Sequence, residues 1–268
     1  MSASPYREPP KITLFRRLRA AWSRLATRGR FRDPAADFQI SKDRVTSYSS
    51  KQPGNIQAGP YVYEVGDLVS LHMVGDSVMD VHSIMSRNSP ERLMLSYTEI
   101  MMGFLRFTAA PRSIGLIGLG GGSLVKYCYH HLPACRITVA EISPEVISLR
   151  RSFYIPDDDE RLKVRLMDGA EMVKAGTGIY DVLMIDAFDE GGYPPHFGAR
   201  KFYRNCHRAL SADGVLVVNL CGFDWRTWLW RMNSVFEGHT VLYQCPDGNN
   251  VIAFATKKKL PDWAKESL

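Results

Sequence analysis

Read for its apolar spacing, the chain changes character several times. Between residues 13 and 25, Leu14, Leu18, Trp22 and Leu25 recur at helical spacing with arginines between them, the pattern of a short amphipathic helix. Residues 33–60 are polar and turn-rich, with Pro34, Pro53, Gly54 and Pro60, and read as a linker. Three short β-like runs follow at 61–64, 68–73 and 78–84, separated by Gly66-Asp67 and Gly75-Asp76. Such turn pairs favour hairpins, so a small antiparallel sheet is predicted. Ser89-Pro90-Glu91 then offers an N-cap, a proline for the first turn and an early acid. The spacing predicts a helix from there to about residue 109, with Leu95, Ile100, Met102 and Leu105 among its buried residues.

From residue 113 onward, apolar runs of strand length alternate with helical patterns. Strands are predicted at 113–117, 136–140, 163–167, 181–186 and 214–220, and helices near 122–131, 144–153, 170–175, 198–210 and 225–236. That alternation is the mark of a parallel sheet covered on both faces. The boundaries suggest three segments: an arm and linker (1–60), a small β-sheet domain (61–88) and a main domain (89–268).

The chemistry concentrates where the first main strand ends. Gly118, Gly120, Gly121 and Gly122 lie within five residues, between an apolar strand and a helix. Glycines there let backbone approach a ligand that side chains would block. Glu141 ends the next apolar run about twenty residues on, where a carboxylate can accept hydrogen bonds from both hydroxyls of a ribose. Asp168-Gly169 closes the third strand, and Asp186 with Asp189 closes the fourth. Ligands of open α/β sheets bind beyond these strand ends, so Gly118, Glu141, Asp168 and Asp186 are expected around one crevice. Each acid taken singly has an ordinary alternative as a helix cap or a solvated loop residue.

The end of the chain separates two folds that the glycines alone do not. Residues 241–245 and 251–256 are β-like and are joined by Pro246-Asp247-Gly248-Asn249-Asn250, which makes them antiparallel neighbours. A nicotinamide-binding domain ends in another parallel strand. The class I S-adenosylmethionine-dependent transferase fold, Rossmann-like, ends in such a hairpin. The fold predicted is therefore this α/β class with a terminal antiparallel hairpin, preceded by a small N-terminal β-sheet. A dinucleotide oxidoreductase has to explain the hairpin.

Composition refines the picture. At 268 residues and 45% hydrophobic, the chain can bury one substantial core and a smaller appendage. The net charge of +6 suggests nucleic acid until it is divided. Residues 1–32 carry nine basic side chains and one acid, a net of +8, and the remainder, with 25 basic and 27 acidic, is −2. The basicity belongs to an arm. An arm of this kind can meet an anionic membrane, nucleic acid or an organellar import system, but docking on its own domain or on a partner subunit is the reading adopted, so no nucleic acid is expected. Cys128, Cys135, Cys206, Cys221 and Cys245 form no CxxC pair and no His/Cys cluster, which indicates neither zinc nor a disulfide framework and suits a reducing cytoplasm. No apolar run has the length to span a bilayer, so a soluble protein is expected.

Taken in order, these residues resemble the spermidine synthase family of polyamine aminopropyltransferases. The likeness runs from about residue 61 to 256. It includes the small β-sheet, Tyr97-Thr98-Glu99-Ile100-Met101 ahead of the glycine loop, Glu141, Asp168-Gly169, the Asp186/Asp189 pair, and Phe202-Tyr203 ahead of Ala209-Leu210 and Asp213-Gly214-Val215. The resemblance implies that the glycine loop and Glu141 hold decarboxylated S-adenosylmethionine, that Asp168 reads its adenine, and that Asp186 serves an incoming amine. It also implies that Asp189 and Glu99 pair with the charges of a small-molecule amine substrate, that Tyr97 and Tyr243 are candidates for its tunnel, that no metal takes part, and that the chain forms a homodimer. A polyamine nitrogen, with a pKa near that of lysine (about 10), must lose its proton before it attacks.

One position departs from the family's Gly-Gly-Gly-Asp-Gly-Gly loop, whose aspartate grips the donor's free amine. Here Gly121 stands in that place. The Gly-Leu-Gly-Gly-Gly-Ser-Leu form is also similar to methyltransferases of translation elongation factor one-alpha. Methyl transfer from intact S-adenosylmethionine therefore stands as the alternative, and a non-catalytic adenosyl-ligand binding protein as a third reading. The stretch 189–196, with two glycines and then two prolines, reads either as a hinged lid or as a static turn. His196, after Pro-Pro, reads as a helix-start residue rather than a base.

Overall fold

The computed structural model describes residues 45–46, 59–73, 81–188, 193–220, 225–246 and 250–265. The chain divides into a unit at Met1–Arg44 and a compact unit at Val45–Leu268. The basic arm, Asp189 and the Gly75-Asp76 turn lie outside the described residues.

A four-stranded antiparallel sheet comes first, in the order β1 (Val45–Thr46), β2 (Tyr61–Val65), β3 (Leu68–His72), β4 (Ser83–Ser86). It begins inside the stretch read as linker, because β1 pairs with β2. The Gly66-Asp67 turn is a two-residue hairpin with Gly66 at φ +59°, a conformation glycine adopts without strain. Asp67 ties this turn to the end of β4, its carboxylate accepting from Ser86 Oγ and from the Asn88 amide. Of the strand predicted at 78–84, residues 78–80 lie outside the described residues, and the described strand is Ser83–Ser86.

The helix predicted from Ser89 starts later. Ser89 bridges back to Ser86 and closes a turn with the Arg92 amide, so its backbone is spent before a helix can begin. Leu93 is drawn into the core in between. Helix α1 (Ser96–Met101) follows and tightens into a 3-10 turn over Met102–Arg106.

The main sheet is built from β5 (Ser113–Ile117), α2 (Ser123–His131), β6 (Arg136–Glu141), α3 (Pro144–Ser148), β7 (Leu162–Leu166), α4 (Gly169–Lys174), β8 (Tyr180–Ile185), α5 (Arg200–Ala209), β9 (Leu210–Leu220), α6 (Trp225–Val235), β10 (Thr240–Gln244) and β11 (Val251–Thr256), with a last turn of helix, α7 (Asp262–Lys265). Its order is β10-β11-β9-β8-β5-β6-β7. Strands β5 to β9 are parallel, and β11 inserts antiparallel between β9 and β10. This is the expected transferase topology with its terminal hairpin.

Both faces of the sheet are buried because every other residue of its central strands serves one core. Ile114, Leu116, Val182, Met184, Val215 and Val217 face a core shared with α2, α3 and the small sheet. Leu183, Ile185, Leu216 and Val218 face a second core with α4, α5 and α6. Helix α3 is shorter than its sequence pattern. The chain turns out of it, passes through Tyr154 at φ +53°, and sends Phe153 and Ile155 beneath the glycine loop.

Candidate active site

The parallel strands β5, β6, β7 and β8 end on one edge of the sheet, and the predicted site residues follow those ends. Gly118 (φ +94°), Gly120 (φ +50°) and Gly122 (φ +66°) make the bend between β5 and α2. Beneath it, a side chain at Gly121 would meet Ser83 Oγ at 2.6 Å and the Phe153 ring at 2.9 Å, and one at Gly122 would overlap Ile155. The loop therefore lies flat on the small sheet and the post-α3 turn. Gly169 has a related cause: a side chain there would overlap Ile117, so α4 approaches β5 only through glycine.

Glu141, at the tip of β6 and almost wholly buried, braces this loop. One carboxylate oxygen accepts from the Leu119 amide and the other from the Ser143 amide, both at 2.8 Å. Each oxygen keeps a second acceptor position. The next residue, Ile142, is 69% exposed despite its apolar side chain. The sequence reading passed over it. Its only signal is position, directly after the acid at a strand tip.

Asp168 caps α4, its carboxylate accepting from the Ala170 amide at 2.7 Å, which leaves its other oxygen available. His196 approaches the same carboxylate at 3.7 Å, so its charged neighbour is Asp168.

Asp186 follows β8, and its backbone amide donates to Ile117 O at 2.9 Å, which pins it against Gly118. Its side chain is half-buried. Oδ2 accepts from the Tyr97 hydroxyl at 3.2 Å and Oδ1 from Asn219 Nδ2 at 2.9 Å. Burial pushes the Asp186 carboxyl above its ordinary value, and the bonds from Asn219 and Tyr97 act in the other direction. Burial, then the nearby Asp186 charge, holds the Tyr97 hydroxyl well above its usual pKa, so it stays a proton donor to the carboxylate.

Tyr97 and Asp186 are thus brought together, although 89 residues separate them. Glu99 is not part of this arrangement. Two residues on along α1, it points about 200° away from Tyr97, is exposed, and lines a different groove of about 390 Å³ with Glu91, Tyr127 and His131. Tyr243 packs edge-to-face on Phe254 at 5.6 Å, the sheet-packing role open to it. Asn219 is a residue the sequence reading missed, and a polar side chain in the buried run of β9 was the available signal.

Among the described residues, no group of three or more His, Cys, Asp or Glu side chains could hold a metal ion, and no helix is long and apolar enough to cross a membrane.

In sequence and fold the chain is similar to known proteins. The family profile of the spermine/spermidine synthase domain matches residues 94–221. A polyamine aminopropyltransferase of Neisseria meningitidis serogroup B is 36% identical over 198 residues, covering 72% of this chain and 74% of that protein. Among solved structures, spermidine synthase from Thermotoga maritima has a TM-score of 0.64 at 22% identity, over 83% of this chain and 76% of that one. Human methyltransferase-like protein 13, in complex with SAH, has a TM-score of 0.57 at 23% identity, over 64% and 87%. With sequence identity at this level over three quarters of a relative's length, and the fold to match, the chain belongs to the spermine/spermidine synthase family.

Proposed function

We propose that this chain transfers an aminopropyl group from decarboxylated S-adenosylmethionine to a small polyamine-like amine. The observation that carries the reading is Asp186: a half-buried carboxylate beside the glycine loop, its two oxygens accepting from the Tyr97 hydroxyl and the Asn219 NH2. The free acceptor positions of Glu141 take the ribose hydroxyls, Ile142 covers one face of the purine, and Asp168 accepts from its amino group. The glycine loop of Gly118, Gly120, Gly121 and Gly122, with Gly169 behind it, lets the backbone lie against the nucleoside.

The amine nitrogen forms its new bond to the methylene carbon beside the sulfonium. The carbon–sulfur bond breaks with its electron pair going to sulfur, which leaves neutral as methylthioadenosine. The proton the nitrogen sheds passes to Asp186, whose raised proton affinity suits a general base. Asp189, three residues on, pairs with a second ammonium of the substrate. Alignment of amine, carbon and sulfur supplies most of the remaining rate. No metal enters the reaction. By family resemblance the working assembly is a cytoplasmic homodimer; the reduced thiols of Cys128, Cys135 and Cys206 suit that compartment.

A second reading, methyl transfer from intact S-adenosylmethionine, is favoured by one observation: Gly121 stands where the family has an acid for the donor's amine. One experiment decides between the two. The purified protein is incubated with each donor and a panel of diamines and triamines. Release of methylthioadenosine with a lengthened amine is expected. S-adenosylhomocysteine with a methylated acceptor would establish the second reading instead.

A further inference from the structure

The hydrogen bonds on Asp186 do not stop at Asn219. Asn219 is 1% exposed, and its Oδ1 accepts from Asn250 Nδ2 at 2.8 Å. Asn250 immediately precedes β11, whose first residue, Val251, pairs with Leu220, the neighbour of Asn219. The backbone of Asn250 is itself fixed, its carbonyl accepting from the Cys245 amide at 2.9 Å and from Gln244 Nε2 at 3.2 Å.

The polarity of this chain is determined by chemistry. An ionised carboxylate only accepts, so Asn219 must turn its NH2 toward Asp186. Its carbonyl then faces Asn250, which must donate. The constraint also acts from the other end: whatever stands at position 250 decides which end of the Asn219 amide meets Asp186. We propose that Asn250 is a positioning residue for Asp186, acting through Asn219, and that it holds the acid in the ionised form that accepts a proton from the substrate amine. This rests on the reading of Asp186 as the base.

Among the described residues, few groups act on Asp186. The Tyr97 hydroxyl comes from α1 and the Asn219 amide from β9, and the Cys245 thiol lies beside Tyr97 at the end of β10. Asp189 lies outside the described residues. The hydrogen bonds given by Tyr97 and Asn219 oppose the effect of burial. Losing the one from Asn219, or reversing it, therefore lets burial act more fully and favours the protonated acid.

The test is the pH dependence of kcat/KM for aminopropyl transfer in wild type, Asn250→Asp and Asn250→Ala, with Asp186→Asn as the control. Asn250→Asp is nearly isosteric but can only accept, so it draws the NH2 of Asn219 away and presents a carbonyl to Asp186. The acid limb of its profile is expected to move up by about one pH unit, with the alkaline plateau and donor KM within about twofold of wild type. Asn250→Ala leaves the amide unheld and is expected to shift the limb in the same direction by less. Should Asn250→Asp not fold, Asn250→Ala carries the test alone. A limb that stays in place while activity falls equally at every pH would show a structural role only and overturn the inference. Turnover surviving in Asp186→Asn is a different failure, that of the base assignment itself.

Discussion

The carbonyl oxygen of Asp186 occupies the space that a side chain at Gly118 would fill. The glycine loop and the acid therefore share one piece of backbone packing, reinforced by the Asp186 amide donating to Ile117 O. Gly118 also sits at φ +94°, where a side chain costs on the order of 1–3 kcal/mol before any overlap is counted. Gly118→Ala is expected to lower thermal stability and to weaken donor binding and turnover together, since the loop moves only by displacing Asp186. Melting curves and donor titration on the same preparation check this. A variant that melts normally and binds donor as wild type does would show the two elements to be independent.

Asp186→Asn is expected to separate binding from chemistry. The amide fills the same space but takes up no proton, so kcat is expected to fall by about 10²- to 10⁴-fold, with donor affinity changed by less than about threefold. If Asp186 is the base, it works when ionised, and kcat/KM is expected to fall as pH drops through its pKa, which burial raises from its ordinary value. The same shift makes the charged acid a burden on the fold at neutral pH, because the unfolded chain ionises more easily than the folded one. The asparagine variant is thus expected to be at least as stable as wild type at pH 7. An inactive variant that is also several degrees less stable would point to a structural role for the carboxylate.

Lys126 offers a separate reading of the fold through pH. Its ammonium is buried in α2, where it donates to Phe153 O at 2.8 Å, and burial pulls its pKa down to about 7, with Glu91 acting weakly the other way. Above that pH the folded chain holds this amine neutral, whereas the unfolded chain keeps it protonated until about 10.5. The unfolded state then binds more protons, so this residue makes stability rise with pH between about 7 and 10.5, by up to about 1.4 kcal/mol per pH unit. Urea unfolding of wild type and Lys126→Met across that range is expected to show the wild-type curve climbing relative to the variant. Parallel curves would mean that the amine stays charged when folded.

Much of this architecture was legible because the central strands are apolar on both faces. Ile114-Gly115-Leu116-Ile117 reads as a strand whichever core is considered, and its predicted bounds match β5. Elements whose limits depend on distant partners were harder. The pattern of α3 runs to 153, but Phe153 and Ile155 serve the glycine loop and end the helix early. Ser89 looks like a cap until its bridge to Ser86 is known. In the site, Tyr97 and Glu99 are two residues apart on a short helix, so only the phase of that helix tells which one meets Asp186. Asn219 and Asn250 were silent for a similar reason, because their meaning depends on β11 inserting beside β9.

Ile142 is 69% exposed, so its truncation removes nothing from the core. Ile142→Ala is expected to change stability by less than about 0.5 kcal/mol. If the side chain covers the purine, the same change removes about 1.5 kcal/mol of apolar contact and weakens donor affinity by roughly tenfold, with kcat at saturating donor unchanged. Calorimetric titration with methylthioadenosine, which carries the purine and ribose without the transferred group, isolates this contact. Unaltered affinity there would place the adenine elsewhere.

Gly121 invites an obvious repair, restoring the aspartate that the family carries at this position. The structure argues against it. A Cβ at 121 points at Ser83 Oγ and the Phe153 ring, at 2.6 and 2.9 Å, and Phe153 is fully buried with little room to give. Gly121→Asp would press a carboxylate into that contact instead of presenting it to the donor, so the variant is expected to be less stable by about 1–3 kcal/mol and to turn over either donor more slowly. Gly121→Ala, which tests the space without the charge, is expected to lose stability as well. An aspartate variant that folds normally and gains activity with decarboxylated donor would mean that the loop lifts away from Ser83 during catalysis, and that its acid can then reach the donor's amine.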